Sequence, residues 1–258
     1  MQENSNLRLL IDAALASGEI AKSFFRKQPE TWEKDDKSGP VTEADIAINR
    51  MLKAELLFNR PDFGWLSEET EDSSERLSYS NVFIVDPIDG TRSFISGNKM
   101  FSHSLAIARN GYIVAGVVFL PILNLMYTAS ETNPSELNGK RIEASKTKKI
   151  ENSRVLTSIK NMNSRNWKGR APSVNIAHRS SLAYRLCLVA DGQFDAILTL
   201  RKCWEWDIAA GDIIIRKAGG RVTDKYNKPT LFNKANNTNE GCIGAGCNLH
   251  TIICSKTM

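Results

Sequence analysis

The sequence lacks the cysteine and histidine patterns of several protein classes. Its five cysteines form no CxxC pair and show no zinc-like spacing, which predicts reduced and mostly buried thiols. At 258 residues the chain is long enough to bury a full core, so neither disulfides nor a structural metal are needed for stability. The three histidines, His103, His178 and His250, show no pairing pattern and are interpreted as non-catalytic.

The sequence pattern predicts neither a secretory leader nor a membrane span. The first residues, "MQENSNLRLLIDAAL", are polar and acidic and contain no cleavage-type segment. The most apolar stretch, Tyr112 to Ala129, contains Pro121 and Asn124 in mid-run, which predicts two buried strands around a turn. We therefore expect a cytoplasmic protein without a membrane partner.

Neither the composition nor the charge is extreme. The chain is 41% hydrophobic and 24% charged, which is ordinary for a globular protein. Its net charge of +5 is compatible with an anionic small substrate or weak nucleic-acid contact and requires neither. The basic residues are scattered, with only "SKTKK" and "RNWKGR" as small clusters and few aromatic residues between them, so RNA binding is weakly supported.

Periodicity predicts helices near the amino terminus and strands that lead into acidic residues. Apolar residues at helical spacing predict helices over 6–27 and 41–60, with Thr42 as the N-cap of the second. "FGWLS" and "VFIV" are interpreted as strands, and Asn110-Gly111 is the favoured pair for a hairpin turn. Strands and helices alternate after residue 153, which indicates a layered α/β unit.

A polar, turn-rich segment over 130–153 is the candidate boundary within the chain. It predicts an N-terminal α+β half over 1–132 and a C-terminal α/β half over 133–258. We expect the two halves to work as one functional unit, because acidic residues of interest occur in both.

Acidic residues stand where several predicted elements begin or end: Glu68, Glu69, Asp86, Asp89, Asp207 and Asp45. Each has an ordinary interpretation by itself, as a solvated loop acid, a turn residue, a helix N-cap or a helix-surface acid. Their combination favours a metal-dependent phosphatase. Mg²⁺ prefers oxygen ligands, and two such ions about 3.5–4 Å apart can clamp the attacking and leaving oxygens of a phosphoryl transfer.

The residues around "DPIDGT" supply further groups that suit a phosphate. The carbonyl of Ile88 can be an additional metal ligand. Gly90 permits close backbone approach, and a helix beginning here would offer free amides to phosphate oxygens. The Thr91 hydroxyl could orient a water molecule, with Asp45 as the partner that takes the proton.

These motifs resemble the inositol monophosphatase family. "PVTEAD", "SEET", "DPIDGT" and "WDIAAGD…AGG" occur in the order and rough spacing of that family, over nearly the whole chain. The resemblance implies a magnesium-dependent, lithium-sensitive phosphomonoesterase with an α/β (α+β) fold, a layered α-β-α-β-α sandwich. It also implies two or three Mg²⁺ ions per active site at the junction of the two halves, and commonly a homodimer.

The resemblance implies roles for the matching residues. The metal ligands would be Glu68, Asp86, Asp89, Asp207 and the carbonyl of Ile88, with Asp86 bridging two ions. The catalytic residues would be Asp45 and Thr91, which activate the nucleophilic water, and Glu69 in a supporting position. The residues expected to bind phosphate or substrate are Gly90, Thr91, Arg92, Lys37 and Ser181. Lys34 and Lys37 resemble a mobile loop that closes the site.

The resemblance leaves the substrate open. The family favours an inositol 1-phosphate-like ester, but Leu200 stands seven residues before Asp207, where inositol-specific members carry a glutamate. Arg92 could meet a second phosphate, or could pair instead with Glu68 or Glu69. "TNPSELNG" lacks the glycines of those members, and "SSLAYRLCLVADG" is more similar to nucleotidase-type members. A 3'(2'),5'-bisphosphate nucleotidase is therefore the first alternative, and a histidinol phosphatase the second.

An alternative of another class is a regulatory protein that works through RNA or the transcription machinery, a role associated with SuhB-type relatives. The net charge of +5 permits this role. A complete set of metal ligands is not needed for it, so we expect catalysis to be the main function.

Overall fold

The computed structural model describes residues 2–34 and 39–258, with side chains described from Ser5 onward. Lys37, expected to contact the substrate, lies outside the described residues. The α-helices of the described chain are α1 (Gln2–Phe24), α2 (Glu43–Asn59), α3 (Thr91–Ile95), α4 (Leu182–Ala190), α5 (Glu205–Lys217) and α6 (Cys247–Lys256). Short 3-10 turns cover Ser74–Ser78, Ile159–Met162 and Ser164–Asn166.

A large sheet carries the first half of the chain. A small two-stranded ribbon precedes it, formed by β1 (Thr31–Glu33) and β2 (Pro40–Thr42). The large sheet has its strands in chain order: β3 (Gly64–Ser67), β4 (Asn81–Asp89), β5 (Ser102–Arg109), β6 (Tyr112–Leu120), β7 (Leu125–Ser130), β8 (Glu136–Leu137) and β9 (Lys140–Arg141). The pair β3 and β4 is parallel, and the remaining pairs are antiparallel.

A second sheet carries the later half, in the order β11-β10-β12-β16-β14. Its strands are β10 (Arg154–Leu156), β11 (Asn175–Ala177), β12 (Ala196–Thr199), β14 (Gly220–Thr223) and β16 (Cys242–Gly246). A separate short pair consists of β13 (Cys203–Trp204) and β15 (Thr238–Asn239). The large sheet extends to Arg141, beyond residue 132, and the division into halves at 132 and 133 stays a prediction.

Three hydrophobic clusters hold five layers together. Helices α1 and α2 pack on one face of the large sheet through the cluster that contains Leu10, Leu52 and Phe83. Helices α4 and α5 lie between the two sheets, in the cluster that contains Leu186. Helix α6 covers the outer face of the second sheet through Leu249 and its neighbours. The predicted α-β-α-β-α sandwich is confirmed.

Local sequence explains several element boundaries. Thr42 caps α2, and its side chain and that of Asp45 form a reciprocal capping box. Asn110 and Gly111 both have positive φ, as the tight turn between β5 and β6 requires. The apolar stretch from Tyr112 to Ala129 forms two strands around a turn, as predicted. None of the described helices combines the length and the hydropathy needed to cross a membrane.

Candidate active site

The "DPID" acids lie at a bulge between β4 and β5. Asp86 pairs with Ser104 and Asp89 pairs with Ser102, so Pro87 and Ile88 together face a single residue of β5. Such a two-against-one arrangement bends the strand and redirects its side chains and carbonyls. The Ile88 side chain packs in the core while the residue also borders the cleft, so its backbone is the part available to a ligand.

Glu68 reaches the same edge of the sheet because β3 runs parallel to β4. Ser67 pairs with Val85, and the Glu68 amide donates to the Val85 carbonyl at 3.2 Å. The carboxyl ends of two neighbouring parallel strands therefore bring Glu68 and Asp86 close together. Both acids lie at or near strand ends, as the sequence predicted.

Asp207 joins these acids from the second half of the chain. It lies in the first turn of α5, the predicted helix start. One carboxylate oxygen from each of Asp86, Asp89 and Asp207 lies within 4.8 Å of the others. Asp207, more than a hundred residues from Asp86 and Asp89 in sequence, thus shares one small volume with them.

The electrostatics of this cluster are unfavourable without a cation. Burial raises the pKa of Asp86, and the charges of Glu68, Asp89 and Asp207 raise it further. Burial also raises the pKa of Asp207, and the nearby Asp89 charge adds to that effect. Asp86 Oδ1 is buried and has no hydrogen-bond partner among the described residues. Clustered carboxylates, an orphaned oxygen and a nearby carbonyl are a donor set that fits a hard divalent cation such as Mg²⁺.

A lysine already bridges the Glu-Glu pair. Lys34 Nζ lies 2.7 Å from Glu68 Oε1 and 2.8 Å from Glu69 Oε1. Burial by itself lowers the pKa of Lys34, but attraction to the two carboxylates outweighs it and holds the pKa above its ordinary value. Burial and then the neighbouring Glu68 charge raise the pKa of Glu69 to about 7. Among the ion pairs of the described residues, those of Glu68 and Glu69 are made by Lys34 and not by Arg92.

Thr91 and Asp45 meet beside the bulge. The Thr91 hydroxyl lies 3.1 Å from the Ile88 carbonyl oxygen and 3.5 Å from Asp45 Oδ1. Asp45 Oδ2 accepts hydrogen bonds from the amide and hydroxyl of Thr42, at 2.9 and 2.6 Å. Burial raises the pKa of Asp45 to about 6. Asp45 is 1% exposed, so its interpretation as a helix-surface acid is wrong.

Gly90 forms the turn between the bulge and α3. Its φ of +99° lies in the left-handed region, which favours glycine. The amides of Ser93 and Phe94 donate to the Gly90 carbonyl, so helix geometry leaves the Thr91 and Arg92 amides without a helical acceptor. Thr91 and Arg92 line the cleft beside the acids.

Ser181 lies behind the acids. It is fully buried, caps α4, and donates to Asp89 Oδ2 at 2.7 Å. The Ala183 amide donates to the same oxygen at 2.6 Å. Ser181 therefore contacts Asp89 and is not among the residues that line the cleft; its role in substrate binding stays a prediction.

The cleft, of about 310 Å³, has a basic side of which the motifs indicated only Arg92. The cationic and imidazole side chains that line it are Arg92, Arg185, Arg201 and His178. Leu200 packs instead against the cluster under α6. Arg185 could have been found from its spacing of four residues after Ser181, one helical turn along α4. Arg201 and His178 lie in loops, where spacing carries no such signal.

Comparison with known proteins identifies the family. The sequence model of the "Inositol monophosphatase family" matches residues 3–256. The chain belongs to the inositol monophosphatase family. It is 30% identical over 234 residues to an inositol-1-monophosphatase of Rhizobium meliloti, with 87% of each chain covered. The resemblance inferred from the motifs is confirmed, and the protein is a phosphatase, a hydrolase of phosphoric monoesters.

Other family members show how wide its activities are. The chain is 29% identical over 239 residues to the 3'(2'),5'-bisphosphate nucleotidase CysQ of Aggregatibacter actinomycetemcomitans, with 88% of this chain and 87% of the relative covered. The crystal structure of the extragenic suppressor protein SuhB from Bartonella henselae matches it with a TM-score of 0.81 and 25% identity, covering 97% of both chains. Magnesium dependence and lithium sensitivity are typical of this family of metal-dependent phosphatases.

Proposed function

We propose that the protein hydrolyses a small phosphate monoester with two or three Mg²⁺ ions held by Glu68, Asp86, Asp89, Asp207 and the Ile88 carbonyl. The observation that carries this proposal is the meeting of Asp86, Asp89 and Asp207 oxygens within 4.8 Å, where one buried Asp86 oxygen has no hydrogen-bond partner among the described residues. Asp86 is the central ligand, because its carboxylate is the one that all the other acids repel. When bound, Mg²⁺ would polarise the phosphoryl group and acidify the attacking water.

The chain's own residues would orient and deprotonate that water. The Thr91 hydroxyl would take the proton of the attacking water as it passes its own proton to Asp45 Oδ1, 3.5 Å away. The Thr42 contacts hold the other Asp45 oxygen and fix the direction of the carboxylate. An Asp45 pKa of about 6 suits a base that works near neutral pH.

The turn into α3 would hold the phosphate. Gly90 and Thr91 line the cleft, and their amides would donate hydrogen bonds to the phosphoryl oxygens, where charge builds during the reaction. Glu69 takes a supporting position through Lys34, which it shares with Glu68.

An inositol 1-phosphate-like ester is the first candidate substrate, as for the relative of Rhizobium meliloti. A 3'(2'),5'-bisphosphate nucleotide is the second candidate, because one observation favours it. Arg92, Arg185 and Arg201 line the cleft, and guanidinium groups suit a second phosphate. No side chain in the described cleft favours histidinol phosphate over these two substrates.

The deciding experiment compares phosphate release from inositol 1-phosphate and 3'-phosphoadenosine 5'-phosphate in the presence of Mg²⁺. Asp86→Asn is the inactive control for both substrates. Arg185→Gln should raise KM for the bisphosphate more than KM for the inositol ester. Arg179→Gln is the matched control, because Arg179 lies over the Phe194 ring and does not line the cleft. Turnover of neither substrate above the Asp86→Asn rate would contradict both assignments and favour an RNA-associated role.

We also infer, from the family resemblance alone, a cytoplasmic homodimer. Light scattering on the purified protein measures its mass in solution, and a monomer at micromolar concentration would contradict the dimer.

A further inference from the structure

His103 is a buried histidine that no step of the proposed chemistry uses. It lies on β5 opposite Pro87 and Ile88, the two residues of the bulge. Its Nδ1 lies 2.5 Å from the Pro87 carbonyl oxygen. Pro87 has no N–H of its own, and the bulge interrupts the regular backbone hydrogen bonds between β4 and β5 at this point. The imidazole therefore supplies a hydrogen bond that the strand backbones do not.

The partner atoms define the state of the ring. A carbonyl oxygen can only accept, so Nδ1 carries the proton and Nε2 is the bare nitrogen. Nε2 is buried and has no hydrogen-bond partner among the described residues. The rings of Phe101 and Phe119 lie beside the imidazole, with centroids 6.2 and 6.3 Å away. Burial accordingly lowers the pKa of His103 to about 4, and the ring is neutral.

Such an arrangement is costly for stability. A buried, unsatisfied ring nitrogen in an aromatic pocket is worse for folding than an apolar side chain of similar size. What the imidazole adds over such a side chain is one bond, to the carbonyl that stands between Asp86 and Ile88.

The neighbours of His103 on β5 reach the other acid-bearing segments. Ser102 Oγ lies 3.0 Å from Ser181 Oγ, the hydroxyl that donates to Asp89. Ser104 Oγ donates to the Trp206 carbonyl at 3.1 Å, one residue before Asp207. Because side chains alternate along a strand, these two serines lie on the face opposite His103.

We propose that His103 is a positioning residue for the metal site, holding the bulge so that the Asp86 carboxylate and the Ile88 carbonyl border the same cleft. The inference rests on the proposed metal-dependent function. Groups that orient metal ligands through a hydrogen bond typically change metal affinity or activity by about ten- to a hundred-fold when they are removed. The same magnitude is expected here.

The test compares three substitutions of His103. In His103→Asn, the side-chain amide nitrogen is bonded to Cγ, as Nδ1 of histidine is, and can donate to the Pro87 carbonyl. In His103→Gln, the amide lies one bond farther out, and His103→Leu has similar volume and no donor. Calorimetric titration of the metal-free proteins with Mg²⁺ gives Kd, and thermal denaturation without metal gives Tm.

We expect His103→Leu and His103→Gln to weaken Mg²⁺ binding by about ten-fold or more, and His103→Asn to stay near the wild type. If His103→Leu does not fold, the comparison of His103→Asn with His103→Gln carries the same information. Wild-type Kd in all folded variants, whatever their Tm, would overturn the positioning role and leave the proposed function standing. No Mg²⁺ binding by the wild type would overturn both.

Nitrogen NMR of the metal-free protein is a second, independent readout. The Nδ1–H tautomer of His103 is the expected result at neutral pH. An Nε2–H tautomer or an imidazolium would overturn the inference, because neither state matches a ring that donates from Nδ1 alone.

Discussion

Thr91 Oγ1 lies 3.5 Å from Asp45 Oδ1, although the two residues belong to α3 and α2. Helix α2 begins at the ribbon formed by β1 and β2, and α3 begins at the end of β4. The contact therefore exists because two helices start at the same cleft, each with a polar residue in its first turn.

Removing either member of this pair should lower kcat. Thr91→Val keeps the shape and loses the hydroxyl, and Asp45→Asn keeps the shape and loses the base. We expect each to reduce kcat by about 10²- to 10⁴-fold, as for other general bases. Thr91→Ser retains the hydroxyl and is the matched control, expected near wild-type kcat. Steady-state kinetics measures all three, and equal losses for Thr91→Ser and Thr91→Val would contradict the role of the hydroxyl.

Activity and stability should respond to pH in opposite directions through Asp45. Its pKa is about 6 in the folded protein, against an ordinary value of 3.8. The base works when ionised, so kcat/KM should rise between about pH 5 and 7. Between about pH 4 and 6 the folded state binds a proton that the unfolded state releases, so the free energy of unfolding should fall as pH rises. Asp45→Asn should abolish the rise in kcat/KM and reduce the fall in stability, to which the raised pKa of Glu69 also contributes; pH-rate profiles and denaturant titrations measure the two effects.

Asp86→Asn should stabilise the metal-free protein and abolish its response to Mg²⁺. The substitution removes a buried charge that Glu68, Asp89 and Asp207 repel, and we expect a gain of about 1–3 kcal/mol without metal. The wild type should instead gain about 2.7 kcal/mol when Mg²⁺ exceeds its Kd a hundred-fold. Thermal denaturation with and without EDTA measures both effects. Asp12→Asn, at an exposed ion pair, is a control that should keep the Mg²⁺ response.

Gly90→Ala should cost both stability and activity, whereas Gly139→Ala should cost stability alone. Both glycines have positive φ, +99° and +75°, so an alanine at either position strains the backbone by about 1–2 kcal/mol. A Cβ at Gly90 would meet its nearest neighbours at 3.5–3.6 Å, an ordinary contact, so the strain comes from φ and not from a clash. Only Gly90 borders the cleft. Unchanged kcat/KM in Gly90→Ala would argue against phosphate binding at this turn.

The motifs predicted much of the site because they are contiguous. "DPIDGT" places two acids, a carbonyl and a glycine turn within six residues, and the strand before it guarantees that they emerge at one sheet edge. The capping box at Thr42 and the hairpin turn at Asn110-Gly111 are equally local. Short-range hydrogen bonds and φ preferences decide such features, and they can be read from a few neighbouring residues.

Other parts of the site depend on contacts between distant segments. Arg92, Arg185 and Arg201 come together only because α3, α4 and the loop after β12 border one cleft. Ser181 is turned toward Asp89, and Leu200 is turned away from the cleft into the core under α6.

The sequence by itself thus determined the family and the acids of the candidate metal site through its contiguous motifs, and it indicated the layered fold through the resemblance to that family. Only the tertiary structure decided which side chains support those acids and which face a substrate. His103 illustrates the difference, since nothing near it in sequence indicates its bond to Pro87, 16 residues away across a bulge. Packing of separate layers creates such contacts, and no local pattern encodes them.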